Sequence, residues 1–171
     1  MRVIILATIT ADGYIARNSH ELVDWSSRAD KGVFVKLTRE MGVIVMGANT
    51  FATVQRNLTT HNRRVIVYTR NPAKFAGQAV ETTQDSPAEL ISRLQREGAA
   101  GLAVCGGTEV YTQFMAAGVV TDLYLVSEPI VIGQGITIFN APITAPIELF
   151  ESSVRRGHSV VNHYKVVGSE A

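Results

Sequence analysis

Short apolar runs alternate with amphipathic stretches along most of this chain. Val3 to Thr8, Val43 to Met46 and Leu102 to Cys105 are compact and almost wholly apolar, which predicts strands buried on both faces. Val65 to Tyr68 and Asp122 to Ser127 read as further strands, and Ala79 to Glu81 as a short edge strand. Helical spacing falls between them. From Arg28 to Met41, Asp30, Phe34, Leu37 and Met41 share one face. A short helix carrying Phe51 and Val54 follows Gly47. Pro87 to Glu97 is framed by Ser86 as N-cap, Glu89 completing a capping box and Gly98 as terminator, with Leu90, Ile91 and Leu94 to pack it. Val110, Tyr111 and Phe114 repeat until Gly118. Two late strands, Ile147 to Val154 and Ser159 to Val167, read as a hairpin turning near Arg156-Gly157. The pattern predicts an α/β fold: a central mixed, mostly parallel sheet, about four helices and a C-terminal antiparallel hairpin.

The stretch from Leu102 to Gly118 organises the rest. Strand, Gly106-Gly107 and helix follow without a break, so backbone can approach a ligand while the new helix offers free N–H groups. A pyrophosphate suits such a turn, although a bare glycine pair more often marks a tight turn with nothing bound. Gly47, Ala48, Asn49 and Thr50 repeat the arrangement, and Thr50 is either a hydroxyl donor to a phosphate or an ordinary helix-entry residue. Asp30 has two readings as well. With Ser27 it fits a capping box; on the inward face it is a carboxylate at the edge of an apolar wall, which calls for a compensating partner. Arg70 stands just past a strand's carboxyl end, where open α/β sheets bind ligands. The polar loop from Arg17 to Ser27, broken by Leu22, Val23 and Trp25, is long enough to cover something. Trp25 is either a core plug or a ligand contact.

Composition narrows the classes. The 171 residues carry 16 basic and 15 acidic side chains for a net charge of +1, with no single-sign run, which argues against a nucleic-acid partner. Cys105 is the only cysteine, and His20, His61, His158 and His163 lack metal-ligand spacing, so no disulfide or metal site is expected. The first apolar run is too short for a signal segment and no stretch would span a bilayer, so a cytoplasmic protein of one domain, residues 1–171, is the expectation.

Several stretches together resemble the dihydrofolate reductase fold family, which includes the reductase domain of riboflavin biosynthesis. They are Asp12-Gly13-Tyr14-Ile15, Trp25 with Asp30, Val45 to Phe51, Cys105 to Tyr111, Asp122-Leu123-Tyr124-Leu125, and Pro129 through Gly133, Gly135 and Phe139. The resemblance covers nearly the whole chain in order. It implies NADPH as cofactor, with Cys105, Gly106, Gly107, Thr108, Glu109, Val110 and Tyr111 along the pyrophosphate and Gly47, Asn49 and Thr50 as the opposing turn. Tyr68, Thr69 and Arg70 would hold the adenosine half, and Ala7 and Ile15 would flank the nicotinamide. Asp30 would be the catalytic acid that anchors a heterocycle, with Thr8, Trp25 and Phe34 around the ring and Arg63 on a substrate carboxylate. The family often has arginine where Ala48 stands, a residue that reads the extra phosphate of NADPH; Arg70 is its substitute here.

Three functions are thereby in view. Reduction of 7,8-dihydrofolate, a pterin substrate, leads, on the short chain and on Trp25 standing five residues before Asp30. A riboflavin-pathway reductase acting on a ribosylaminopyrimidine phosphate is the alternative, favoured by Pro129 to Phe139; near the loop only Arg17 and Arg28 are obvious for its phosphate. A non-catalytic nucleotide-binding module is the third. Monomer and homodimer are equally compatible.

Overall fold

The computed structural model describes residues 1–21, 23–58, 63–155 and 158–168, and of residues 28, 29 and 55–57 the backbone alone. The expected turn at Arg156-Gly157, the middle of the polar loop before Arg63 with His61, and Leu22 lie outside the described residues. In chain order the elements are β1 (Arg2–Thr10), β2 (Tyr14–Ala16), α1 (Arg28–Met41), β3 (Gly42–Gly47), α2 (Ala48–Leu58), β4 (Arg64–Tyr68) and a 3-10 turn (Pro72–Phe75). Then come β5 (Glu81–Thr83), α3 (Pro87–Arg96), β6 (Gly101–Val104), α4 (Thr108–Ala116), β7 (Asp122–Glu128), β8 (Ile136–Thr137), β9 (Ile147–Val154) and β10 (Val160–Val166).

Eight strands form one sheet in the order β5-β4-β3-β6-β1-β7-β10-β9. From β5 to β7 all neighbours are parallel, and β10 then runs antiparallel to both β7 and β9. Strand alternation divides the core between the two faces. Val3, Ile5, Val45, Leu102 and Val104 pack with Leu90 and Leu94 of α3 and Phe114 of α4. Ile4, Leu6 and Ala103 pack with Leu37 and Met41 of α1, while Ile44, Met46 and Val67 pack with Phe51 and Leu58 of α2. Ile4, Ile5, Ile44 and Ile66 are wholly buried, each contributing about 1.5–3 kcal/mol. β9, at the sheet's open edge, leaves Leu149, Phe150 and Val154 exposed.

α1 spans the residues expected of it, and the Ser86–Glu89 capping box of α3 is formed in both directions. Two elements differ from expectation. β5 begins at Glu81, because Arg64 and Arg93 pair with the Glu81 carboxylate and draw it opposite Ile66. The stretch after Pro129 contains a strand, β8, paired antiparallel with β2. The Asp12 carboxylate accepts the N–H groups of Ile132 (3.1 Å) and Gly133 (2.7 Å), lashing this stretch to the end of β1. Only glycine fits at position 135, where a Cβ would lie 2.4 Å from the Ala16 carbonyl oxygen.

At the amino end of β7 the Asp122 carboxylate, 1% exposed, collects partners from β1, from β10 and from the residue before it. Arg2 Nε (3.2 Å), Thr121 Oγ1 (2.6 Å) and Lys165 Nζ (2.7 Å) donate to it, and His163 Nε2 lies 2.6 Å away. Burial alone would raise its pKa, but hydrogen bonds from Arg2, Lys165, Thr121 and His163 hold it well below the usual carboxylate range. No helix among the described residues is long and apolar enough to cross a membrane.

Candidate active site

The carboxyl ends of β3, β6 and β1 lie side by side, and the chain past β6 stays joined to β3. Cys105 N–H donates to the Val45 carbonyl (2.9 Å), and Gly47 N–H donates to the Gly106 carbonyl (2.7 Å). The two glycine turns noticed in the sequence are therefore one structure. Gly106 has φ +114°, a conformation that side chains disfavour, and a Cβ on Gly107 would stand 3.1 Å from Thr50 Oγ1. Gly107 caps α4 without a side-chain hydrogen bond, and the buried Thr108 hydroxyl has no partner among the described residues. Donors are left over at this point.

Several expected contacts support the turn from below. Val110 and Tyr111 are buried, and the Tyr111 hydroxyl donates to the Leu6 carbonyl (2.7 Å), fastening α4 to β1. Ala7 is buried in the same core, with Ile15 packed against it; Glu109 is exposed. Burial pushes the Cys105 thiol up to about 12, which makes it a packing group rather than a nucleophile. Tyr68 packs edge-on against Phe114, and its buried hydroxyl has no partner among the described residues. Arg70 and Asn49 are exposed, and the Thr69 hydroxyl accepts the Asn71 N–H (3.0 Å). Beside them a groove of about 260 Å³ runs between Ala48, Asn49, Phe51, Lys74, Phe75 and Gln78. A hollow of about 420 Å³ at the far end of α4, near Met115 and Pro142, is lined by none of the expected site residues.

Asp30 resolves its two readings. Its backbone N–H donates to Ser27 Oγ (3.0 Å), so Ser27 is the cap. The return half of a capping box is absent: Ser27 N–H donates to Glu128 Oε1 (3.1 Å) instead. The Asp30 side chain is thus free of helix-end duty. It is 7% exposed, and Oδ1 accepts the Thr8 hydroxyl (2.6 Å) at the end of β1. Burial raises its pKa, Thr8 and Ser26 oppose the rise, and the Glu128 charge adds to it. One turn along, the Phe34 ring lies 5.7 Å from the Arg63 guanidinium. Arg63 Nη1 donates to Thr38 Oγ1, while Nε and Nη2 are buried with no partner among the described residues. Trp25 is half-buried, and Arg17 is occupied by Glu21.

Sequence reasoning missed Glu128 and Ser159. Glu128 is 3% exposed and Ser159 fully buried; Ser159 Oγ donates to Glu128 Oε2 (2.9 Å) and lies 3.1 Å from Ser27 Oγ. An acid closing an apolar strand at its carboxyl end was the available signal for Glu128. Nothing local marks Ser159.

A mostly parallel sheet covered by two helices on each face, with a crossed glycine turn and a buried acid at its carboxyl edge, defines the dihydrofolate reductase-like class of fold. Residues 1–156 match the family model of the RibD C-terminal domain, and the chain belongs to that family. It is 20% identical to the uncharacterized protein YwjB of Bacillus subtilis (strain 168) over 171 residues, covering 95% of this chain and 97% of that one. Among solved structures it resembles a candidate riboflavin biosynthesis protein from Shewanella sp. PV-4 (TM-score 0.81, 20% identity, 97% and 99% of the chains covered). It also resembles the diaminohydroxyphosphoribosylaminopyrimidine deaminase/5-amino-6-(5-phosphoribosylamino)uracil reductase of Thermotoga maritima (TM-score 0.74, 14% identity), covering 96% of this chain and 56% of that longer one.

The expectation of dihydrofolate reduction is corrected by this family. Trp25 and Asp30, which stand at the entry into α1, pointed to the wrong member of the fold family; the Pro129 to Phe139 stretch pointed to the right one. The NADPH expectation carries over to this family unchanged.

Proposed function

We propose that the protein is an NADPH-dependent reductase of a ribosylaminopyrimidine phosphate, the substrate class named for the reductase activity of the Thermotoga maritima enzyme. The observation that carries this reading is Asp30: a buried carboxyl released from helix capping and held by Thr8 at the end of β1, the strand beside the glycine turn.

The chain fits the cofactor. Among the described residues the Thr108 hydroxyl has no partner and the first turn of α4 has no side-chain cap, and Gly106 and Gly107 leave no side chain between them and Thr50. Thr69, Arg70 and the Tyr68 hydroxyl, which has no partner among the described residues, border the adenosine end. Lys74, across the groove from Ala48, joins the exposed Arg70 in supplying the cation that position lacks. When bound, NADPH supplies a hydride, two electrons, to the imine carbon of the opened ribosylamine. The C=N π pair then takes a proton at nitrogen, giving CH–NH and NADP⁺. Asp30 holds that proton: burial favours its neutral form, and Thr8 fixes the orientation of the acid. Phe34 covers the pyrimidine face. Arg63 Nε and Nη2 take an oxygen of the substrate phosphate, replacing the carboxylate expected from a folate.

The test is loss of reduced-nicotinamide absorbance with purified protein, NADPH and 5-amino-6-(5-phosphoribosylamino)uracil, with dihydrofolate as control. The pyrimidine is expected to turn over, and Asp30→Asn to reduce kcat by about a hundredfold or more while NADPH still binds. NADPH binding with no oxidation in the presence of the pyrimidine overturns the proposal.

A further inference from the structure

Glu128 is a buried carboxylate that the proposed reaction does not consume, yet it touches the machinery at two points. Ser27 N–H donates to Oε1 (3.1 Å) and Ser159 Oγ donates to Oε2 (2.9 Å). Because the Ser159 proton is committed to Glu128, the Ser27 hydroxyl is the donor across the 3.1 Å gap to Ser159. Ser27 Oγ in turn accepts the Asp30 N–H (3.0 Å). Each N–H and O–H of this ring has an acceptor, and both Glu128 oxygens accept.

We infer that Glu128 is a positioning residue for Asp30: it accepts the Ser27 N–H that a capping box would give to Asp30, so that the Asp30 carboxyl turns to Thr8 instead. A carboxylate held there also favours the protonated form of Asp30. The inference deepens the proposed function and rests on Asp30 as proton donor. Two nearby carboxyls in unlike surroundings divide the roles: Glu128 accepts from Ser27 and Ser159, while burial and the neighbouring carboxylate raise the pKa of Asp30. The groups acting on Asp30 from the elements around it agree with this. Thr8 of β1 and Ser26 before α1 offer hydroxyls, and Lys31 of α1 is a cation, all favouring the charged form; Glu128 of β7 opposes them. The Tyr111 phenol of α4, held above its ordinary pKa first by burial, is neutral. Ser159 reaches Asp30 only through Ser27 and Glu128.

The test separates charge from geometry. Glu128→Gln keeps an oxygen for Ser27 N–H and an amide for Ser159, whose hydroxyl can reverse, but removes the charge. Carbon-13 carboxyl NMR titration of the apoprotein, with the Asp30 signal assigned through Asp30→Asn, is expected to show the Asp30 midpoint falling by about 0.5–1 pH unit in Glu128→Gln. Glu128→Met, of similar length, is expected to lower it in the same direction, so either folded variant carries the test. Ser159→Ala, which keeps both carboxyls, leaves the midpoint in place. With the pyrimidine as substrate, the limb of the kcat–pH profile moves with the midpoint. An unchanged Asp30 midpoint in a folded charge-removing variant, or failure of both to fold, overturns the inference. Absence of turnover beside a shifted midpoint overturns the proposed reaction and leaves the coupling standing.

Discussion

Asp30 is expensive for the fold. Its folded pKa is raised, so between the ordinary carboxyl range and that higher value the native chain holds a proton the unfolded chain has released. Stability therefore falls as pH rises through that window, and the full penalty stands above it. Asp30→Asn keeps an oxygen for the Thr8 hydroxyl and removes the charge. A thermal melt at neutral pH is expected to find its Tm raised while turnover is lost. Gly106 is the converse. At φ +114°, Gly106→Ala is expected to cost about 1–3 kcal/mol in denaturant titration. Calorimetry is expected to find NADPH binding weakened about tenfold or more, because the turn must shift to relieve the side chain. Both residues stood out in the sequence, since a glycine pair and an acid on an apolar face break local rules. Arg63 was expected only through family resemblance, and no sequence pattern shows that its Nε and Nη2 are buried with no partner among the described residues.

Elements were legible wherever local chemistry defines their ends. α3 is the clearest: Ser86, Pro87 and Glu89 open it, and Ser86→Ala is expected to destabilise the protein by about 1 kcal/mol in denaturant titration. α1 carries a similar signature but a different wiring. The Ser27–Asp30 spacing suggested a reciprocal box, and a long-range acceptor, Glu128, displaced half of it. A spacing of three residues cannot reveal a competitor a hundred positions away. β8 was illegible for the same reason: two residues become a strand because Asp12 brings their neighbourhood to β2. β5 shifted because its register is decided by Arg64 and Arg93.

For the whole molecule, parallel order and the late hairpin followed from alternating strands and helices, while the strand order needed coordinates. Asp122 joins the first strand to the last. Its depressed pKa means the stabilisation is complete above the ordinary carboxyl range and is lost as pH falls toward the folded value. Asp122→Asn, which leaves the Arg2 and Lys165 cations without their shared counter-charge, is expected to lower stability by about 3 kcal/mol at neutral pH. The variant is also expected to lose less than the wild type when both are acidified below about pH 4, in denaturant titrations across pH. The reversal between β7 and β10 has a consequence of another kind. A strand running with its neighbours would have met the reactive rim with its final residue; this one meets it with its first, and Ser159 is delivered there by the way in. The tail is therefore not trimming on a finished catalyst: chains shortened before this reversal would be left with an acid whose scaffold is missing a strut.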